Sequence, residues 1–359
     1  MSPTIVDLDV FLADPSSPAA AEEARKAAES LILTGALVVK DSRADASANS
    51  RFLDLMEDYF ALPHEDLEKD ERPELGYQVG VTLENTEKPK CGRDAECQQV
   101  IASLDPAERP LDLSGDPADP KCRFFHRMAE RPPYESKFPY STAPNVVPDE
   151  FKDVWTDKLT EWGSMMKQSV EGVARMVAVG LGEDENKFVE AGRYGAHLLA
   201  PTATDLVKYG ELNTIYAGFH TDLNFLTIHG QSRYPGLHIW ARNSGKRIAA
   251  KVPPGCLLVQ AGKQLEWLTG GLIKAGFHEV VCTEATLAAV ERRKDQLPDR
   301  PSIRISSTFF WHLTPDFHLA PLPELRKEAE ARFGAQKDYG EMSVGDQVRQ
   351  ELGLIALMS

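Results

Sequence analysis

The run Gly218-Phe219-His220-Thr221-Asp222-Leu223-Asn224-Phe225-Leu226-Thr227 sets a histidine and an aspartate two residues apart in a β-type segment. Side chains alternate faces along a strand, so residues i and i+2 project together. His220 and Asp222 would then offer an imidazole nitrogen and a carboxylate oxygen to one point, ligand types that suit a first-row divalent metal. The triplet alone is weak. With 9 histidines in the chain, His-x-Asp is expected on the order of once by chance. A second copy, His64-Glu65-Asp66, ends a helical run in charged surroundings, where positions i and i+2 do not face each other. It reads as solvated surface.

The elements that must position these residues follow from the pattern of the 359-residue chain. "TIVDLDVFL" predicts a strand and a turn, residues 18–33 a helix, "GALVVK" a strand, and "SRFLDLMEDYFALP" another helix. From about 84 to 148 periodicity is lost, and the segment reads as a long irregular excursion over the surface near the site's mouth. A long helix is expected from Asp149, with Phe151, Val154, Trp155, Leu159, Trp162, Met166, Val170, Val173 and Val177 in its apolar stripe, ending at the "GLG" of 180–182. Short β-type runs then follow one another to about 320, and "LPELRKEAEARFG" and "SVGDQVRQELGLIALM" return to helix. The predicted class is α+β with a mainly β core: a double-stranded β-helix, or jelly roll, flanked by N-terminal and C-terminal helices. Its divisions are 1–150, 151–320 and 321–359, acting as one functional unit.

Composition narrows the partners. Acidic residues outnumber basic ones, 55 to 40, for a net charge of −15, which argues against nucleic acid or an anionic membrane surface. Five cysteines without a Cys-x-x-Cys pair suggest reduced thiols. The first basic residue is Arg25, so a secretory leader is not expected, and the longest apolar run is too short to cross a bilayer. The expectation is a cytoplasmic protein acting on a small molecule.

A facial metal site needs a third ligand. "KQLEWLTGGLIKAGFHEVV" brings a strand with His278, 56 residues beyond Asp222. With it the sequence resembles the iron(II)- and 2-oxoglutarate-dependent dioxygenases of the isopenicillin N synthase-like group, which show His-x-Asp, a distal His and then Arg-x-Ser, here Arg304 and Ser306 in "RISSTFF". "YFALPHEDLEK" and "MSVGDQVRQEL" are similar to further segments of that group. The resemblance implies that His220, Asp222 and His278 form the catalytic iron site. Two imidazoles and one carboxylate on one face of Fe(II) leave three positions open, for 2-oxoglutarate and dioxygen. It also implies release of succinate and CO2, with ascorbate as a supporting reductant. Halogenating relatives lack the carboxylate, so Asp222 points to hydroxylation, desaturation or ring closure.

Arg304 and Ser306 are i and i+2 on a strand, and a guanidinium fork with a hydroxyl suits the distal carboxylate of 2-oxoglutarate. Arg300-Pro301-Ser302 is a rival motif outside the matching stretch. The sequence departs from the group in three places. Ala200 stands where a cosubstrate-contacting tyrosine is usual, Asn224 where Gly is usual, and Glu279 where Arg is usual. His229, His238 and Cys282 read as structural. The competing functions are a 2-oxoglutarate-independent oxidase of the same fold, a zinc hydrolase, and a jelly roll that binds without catalysis.

Overall fold

The computed structural model describes residues 2–115 and 117–355. In chain order the strands are β1 (Ile5–Asp7), β2 (Ala36–Lys40), β3 (Gly80–Thr82), β4 (Cys122–Arg127), β5 (Leu198–Leu199), β6 (Thr202–Asp205) and β7 (Ile215–His220). There follow β8 (Leu226–His229), β9 (Leu237–Trp240), β10 (Arg247–Ala249), β11 (Cys256–Ala261), β12 (Phe277–Val281), β13 (Ile303–Ser306) and β14 (Thr308–Trp311). The large sheet runs β1-β2-β11-β8-β14-β5-β4-β6-β13, with β3 paired to β4. The small sheet runs β10-β9-β12-β7. Only β1 and β2 pair in parallel among these ladders. Ile239 of the small sheet packs with Val38 and Leu258 of the large one, and residues of both sheets line a common cavity.

The flanking helices form where the sequence supplies their ends. In the helix Pro18–Thr34, Ser17 caps the start by accepting the Ala20 N–H. Pro18 occupies the first turn, and Gly35 closes the helix at φ 72°. The long helix spans Trp155–Gly180, 26 residues, and buries Trp155, Leu159, Trp162, Met166, Val170, Val173 and Val177. It begins later than the apolar stripe suggested: Phe151 closes a 3-10 turn, and Val154 stays 43% exposed. The indole N–H of Trp162 donates to Ser307 Oγ at 2.8 Å. That bond fixes the helix against the short junction between β13 and β14, beside the cavity.

Several expectations change. The segment 84–148 contains the helix Ala95–Ser103 and strand β4, which sits well inside the large sheet. Its alternation was hidden because β4, "CRFFHR", buries Arg123 and His126 as well as its phenylalanines. The turn expected after β1 is a short helix, Leu8–Ala13, capped by Asp7. Cys91 and Cys97 are paired as a disulfide, since a 3-10 turn and the next helix bring their Cα atoms to 5.2 Å. Cys122, Cys256 and Cys282 remain free thiols as expected. The tail forms the helices Pro323–Phe333 and Val344–Leu354, and the part expected to continue through 356–359 lies outside the described residues.

Candidate metal centre

β12 lies antiparallel to β7, and their register sets His278 directly across from His220. Pairing of the two strands thus brings together two histidines 58 positions apart in the sequence. The ring centroids are 4.2 Å apart. Asp222 arrives differently from the strand alignment that the sequence suggested. β7 ends at His220, and Asp222 stands in the turn after it. That turn is pinned by the Gly262–Gln264 stretch: Lys263 N–H donates to Asp222 O at 2.8 Å and Gly262 N–H to Phe225 O at 3.0 Å. A Cβ on Gly262 would come within 2.0 Å of Asn224 O, so the close approach requires glycine.

The result is a three-residue cluster. One ligand atom from each of His220, Asp222 and His278 lies within 4.8 Å of the others. Asp222 Oδ1 is 3.7 Å from Nε2 of both histidines. On each ring the far nitrogen faces a carbonyl: His220 Nδ1 is 2.6 Å from Gly218 O, and His278 Nδ1 is 3.4 Å from Gly276 O. A carbonyl only accepts, so Nδ1 keeps the proton and Nε2 turns a lone pair to the shared point. Burial, reinforced by the neighbouring His278, pushes the His220 pKa down to about 3, which keeps the ring neutral. Burial works against ionised Asp222, but the two histidines and a hydrogen bond from Thr227 outweigh it and lower its pKa.

Thr227 and Asn224 complete the support. The Thr227 hydroxyl donates to Asp222 Oδ2 at 2.6 Å, and Asn224 Nδ2 donates to Thr227 Oγ1 at 3.2 Å. Asn224 Nδ2 also reaches Leu226 O at 2.7 Å. Asp222 Oδ2 is thereby occupied and Oδ1 is left for the shared point. The Asn224 departure noted in the sequence is thus a structural substitution with its own bonds. Thr227 was not foreseen. On β8 it alternates with the core residues Leu226 and Ile228, so the apolar pattern gave no sign that its hydroxyl would be buried.

Arg304 and Ser306 lie together on β13, and Arg304 Nη1 donates to Ser306 Oγ at 2.7 Å. Arg304 is 4% exposed, and among the described residues its side chain meets only Ser306 and, at 3.4 Å, Pro235 O. Among the described residues no carboxylate neutralises it, and burial pushes its pKa down to about 10. The rival Arg300 is spoken for, with Nη2 3.0 Å from Glu57 Oε2 and Nη1 2.7 Å from Asp58 Oδ1. A buried guanidinium without a counter-ion fits an incoming carboxylate. Ser306 lines the cavity, which measures about 160 Å³ and also takes in all three cluster residues.

The other histidines stand apart from the cluster. His229 reaches the cavity wall, but its ring nitrogens meet Gln260 Oε1 at 2.9 Å and Thr308 Oγ1 at 3.2 Å. His238 faces Gly236 O at 3.1 Å, and His64 is exposed. Cys282 is fully buried in an apolar cluster with Tyr216 and Val280. Ala200 is likewise buried among Phe125 and Leu198, with no side-chain donor to replace the usual tyrosine. Sequence reasoning also missed Glu87, Lys121, Arg123 and His312 on the cavity wall.

Residues 196–313 match the model of the 2OG-Fe(II) oxygenase superfamily. Gibberellin 3-beta-dioxygenase 1 of Oryza sativa subsp. japonica is 28% identical over 239 residues, covering 57% of this chain and 57% of that protein. The chain thus spans little more than half the length of this curated relative. Among solved structures, a Caulobacter crescentus protein assigned to the 2OG-Fe(II) oxygenase family aligns over 98% of both chains, with TM-score 0.71 and 18% identity. A full-length Neurospora crassa protein, solved in complex with alpha-KG and thymine, aligns over 98% of this chain and 96% of its own, with TM-score 0.69 and 20% identity. Helices around a large antiparallel sheet core are therefore the shared fold. The matched segment holds His220, Asp222, His278, Arg304 and Ser306, and through it this chain carries a domain of the 2OG-Fe(II) oxygenase superfamily.

Proposed function

We propose that the protein is an Fe(II)- and 2-oxoglutarate-dependent dioxygenase that hydroxylates, desaturates or cyclises a small molecule. In this reading the two facing sheets form the double-stranded β-helix, and the segments 1–150, 151–320 and 321–359 serve it as one unit. The observation that carries the reading is a two-histidine, one-carboxylate cluster sharing one cavity with Ser306, whose hydroxyl is held by Arg304, a buried arginine with no carboxylate partner among the described residues.

His220 and His278 would hold the iron through Nε2, and Asp222 through Oδ1. Bound iron would supply activation of dioxygen. The protein's own groups do the rest. Gly218 O and Gly276 O keep each imidazole in the ligating tautomer. Thr227 prevents Asp222 from rotating its second oxygen into the site. Arg304, with Ser306, would take the distal carboxylate of 2-oxoglutarate by the bidentate geometry of a guanidinium. Buried surroundings strengthen that pairing and restrict water. A zinc hydrolase gives Arg304 no task, whereas an oxidase that uses no 2-oxoglutarate would employ it on a substrate carboxylate.

The test is to supply 2-oxoglutarate and dioxygen to the Fe(II)-loaded protein and to assay succinate. Succinate formation that requires both iron and dioxygen supports the proposal. Oxidation of a substrate at full rate without any 2-oxo acid would select the oxidase instead.

A further inference from the structure

The cavity wall carries a second ionic group, supplied by the stretch that looked irregular in the sequence. Glu87 is buried and bridges two cations: Lys121 Nζ lies 3.1 Å from its Oε2, and Arg123 Nη1 lies 2.6 Å from its Oε1. Asp119 takes the other side of Lys121 at 2.6 Å and accepts the Gly218 N–H at 3.0 Å, two residues before His220. The group is therefore tied to the strand that presents the first metal-site histidine.

Arg123 is not fully engaged. Its guanidinium carbon stands 3.8 Å from the centroid of Phe125, so one face is covered by the ring. Nη2 has only a 3.5 Å approach to Thr82 Oγ1, and the buried Nε has no hydrogen-bond partner among the described residues. Glu87 engages Nη1 and shares its charge with Lys121. That leaves the Nε–Nη2 edge, which a carboxylate grips with two parallel bonds. The charge around it does not oppose an anion. The chain carries −15, yet the cavity lining holds four Lys or Arg side chains against four carboxylates, so the negative excess is absent there. Next to Arg123 the wall is apolar: Phe125 stands edge-on to Phe310 at 5.9 Å, with Leu198 packed against them.

We propose that Arg123 anchors the carboxylate of a small monocarboxylic acid substrate, whose apolar body lies along Phe125 and Phe310 toward His220. The inference rests on the reading of the site as an Fe(II)/2-oxoglutarate oxygenase. Arg304 serves the cosubstrate and Arg123 the substrate, so one cavity sorts two carboxylates by two separate arginines.

The experiment uses the full chain loaded anaerobically with Fe(II) and 2-oxoglutarate, titrated by calorimetry with benzoate, phenylacetate, cinnamate and hexanoate and with the amide of each. At least one acid should bind, with its amide at least about tenfold weaker, a bound set below the about 30-fold expected from the smallest loss of a buried charge partner. Arg123→Gln alone strands Glu87, so Glu87→Gln/Arg123→Gln, which removes both charges, is measured beside it. The double variant should lose acid binding at least about tenfold while the visible band of the iron–2-oxoglutarate complex stays unchanged. Equal binding of acids and amides, acid binding that survives in the double variant, or no acid binding in wild type with the band intact would each overturn the proposal. Failure of the band to form in wild type would instead remove the oxygenase reading beneath it.

Discussion

His220 and His278 are cross-strand partners on β7 and β12, and the carboxylate of Asp222 stands 3.7 Å from both. Two ligands are thus fixed by a β ladder and the third by a turn that Gly262 and Lys263 hold in place. Replacing any one of the three with Ala should abolish tight Fe(II) binding, while His64→Ala and His229→Ala should retain it. Equilibrium dialysis with iron analysis reads this directly. Wild-type iron content in His278→Ala would remove the assignment.

Thr227 touches no metal, yet it holds Asp222 Oδ2 at 2.6 Å. Thr227→Val preserves shape and removes the bond. Loss of such a supporting partner weakens metal binding by about 10- to 100-fold, and a chelator competition titration should show a change of that size. An unchanged affinity would mean that the turn alone orients the carboxylate.

The two Arg-x-Ser motifs separate cleanly in the structure. Arg304→Gln should weaken 2-oxoglutarate binding at least about tenfold, since losing one partner of a buried charge pair costs about 2–5 kcal/mol. Iron binding should be nearly unaffected. Arg300→Gln should leave 2-oxoglutarate affinity alone and cost stability instead, about 1 kcal/mol or less for a partly exposed ion pair. Glu57 keeps Arg233 and Arg293 as partners. Calorimetry with 2-oxoglutarate and thermal melts of both variants distinguish the roles. Equal loss of 2-oxoglutarate binding in the two would contradict this division.

Acid sensitivity should come in part from His126. Asn145 is fixed by Arg127, accepting its N–H at 2.7 Å and donating to its O at 2.9 Å, and its Nδ2 faces His126 Nε2 at 3.2 Å. That contact favours a neutral ring. Burial, with the neighbouring Arg127 charge, pushes the His126 pKa from 6.5 down to about 4. The unfolded chain binds this proton more tightly than the folded one. The contribution is therefore complete above pH about 6.5 and is lost progressively as pH falls toward about 4. At about 1.4 kcal/mol per tenfold, the loss reaches about 3 kcal/mol. His126→Phe should flatten the stability–pH curve in that window, as read by denaturant titration at several pH values. An unaltered slope would show that other groups carry the acid response.

Much of this site was legible because its residues obey simple spacing. The His-x-Asp pair, the distal His and Arg304-x-Ser306 each lie on or next to a short strand whose neighbours are apolar. The helix expected over 18–33 was readable from its composition, and the structure ends it with Ser17 and Gly35. What stayed hidden depended on distant contacts. β4 presents Arg123 and Phe125 to the cavity and Phe124 to Tyr59 and Trp155. Buried charge on one face erased the apolar alternation by which a strand is recognised. Arg123 is tolerable there only because Glu87, 36 residues earlier in sequence, meets it. Asp222 lies off the strand for a similar reason: its position is set by backbone bonds from residues 262 and 263, which the local sequence does not announce.

The central claim is that one cavity holds iron through His220, Asp222 and His278 and 2-oxoglutarate through Arg304. The most direct measurement is an anaerobic titration of 2-oxoglutarate into the Fe(II)-loaded protein, followed by the visible metal-to-ligand absorption band. The account predicts a band that saturates at one equivalent in wild type, is absent in His278→Ala, and requires at least about tenfold more 2-oxoglutarate in Arg304→Gln. A wild-type protein that binds iron yet develops no band at any 2-oxoglutarate concentration would contradict it.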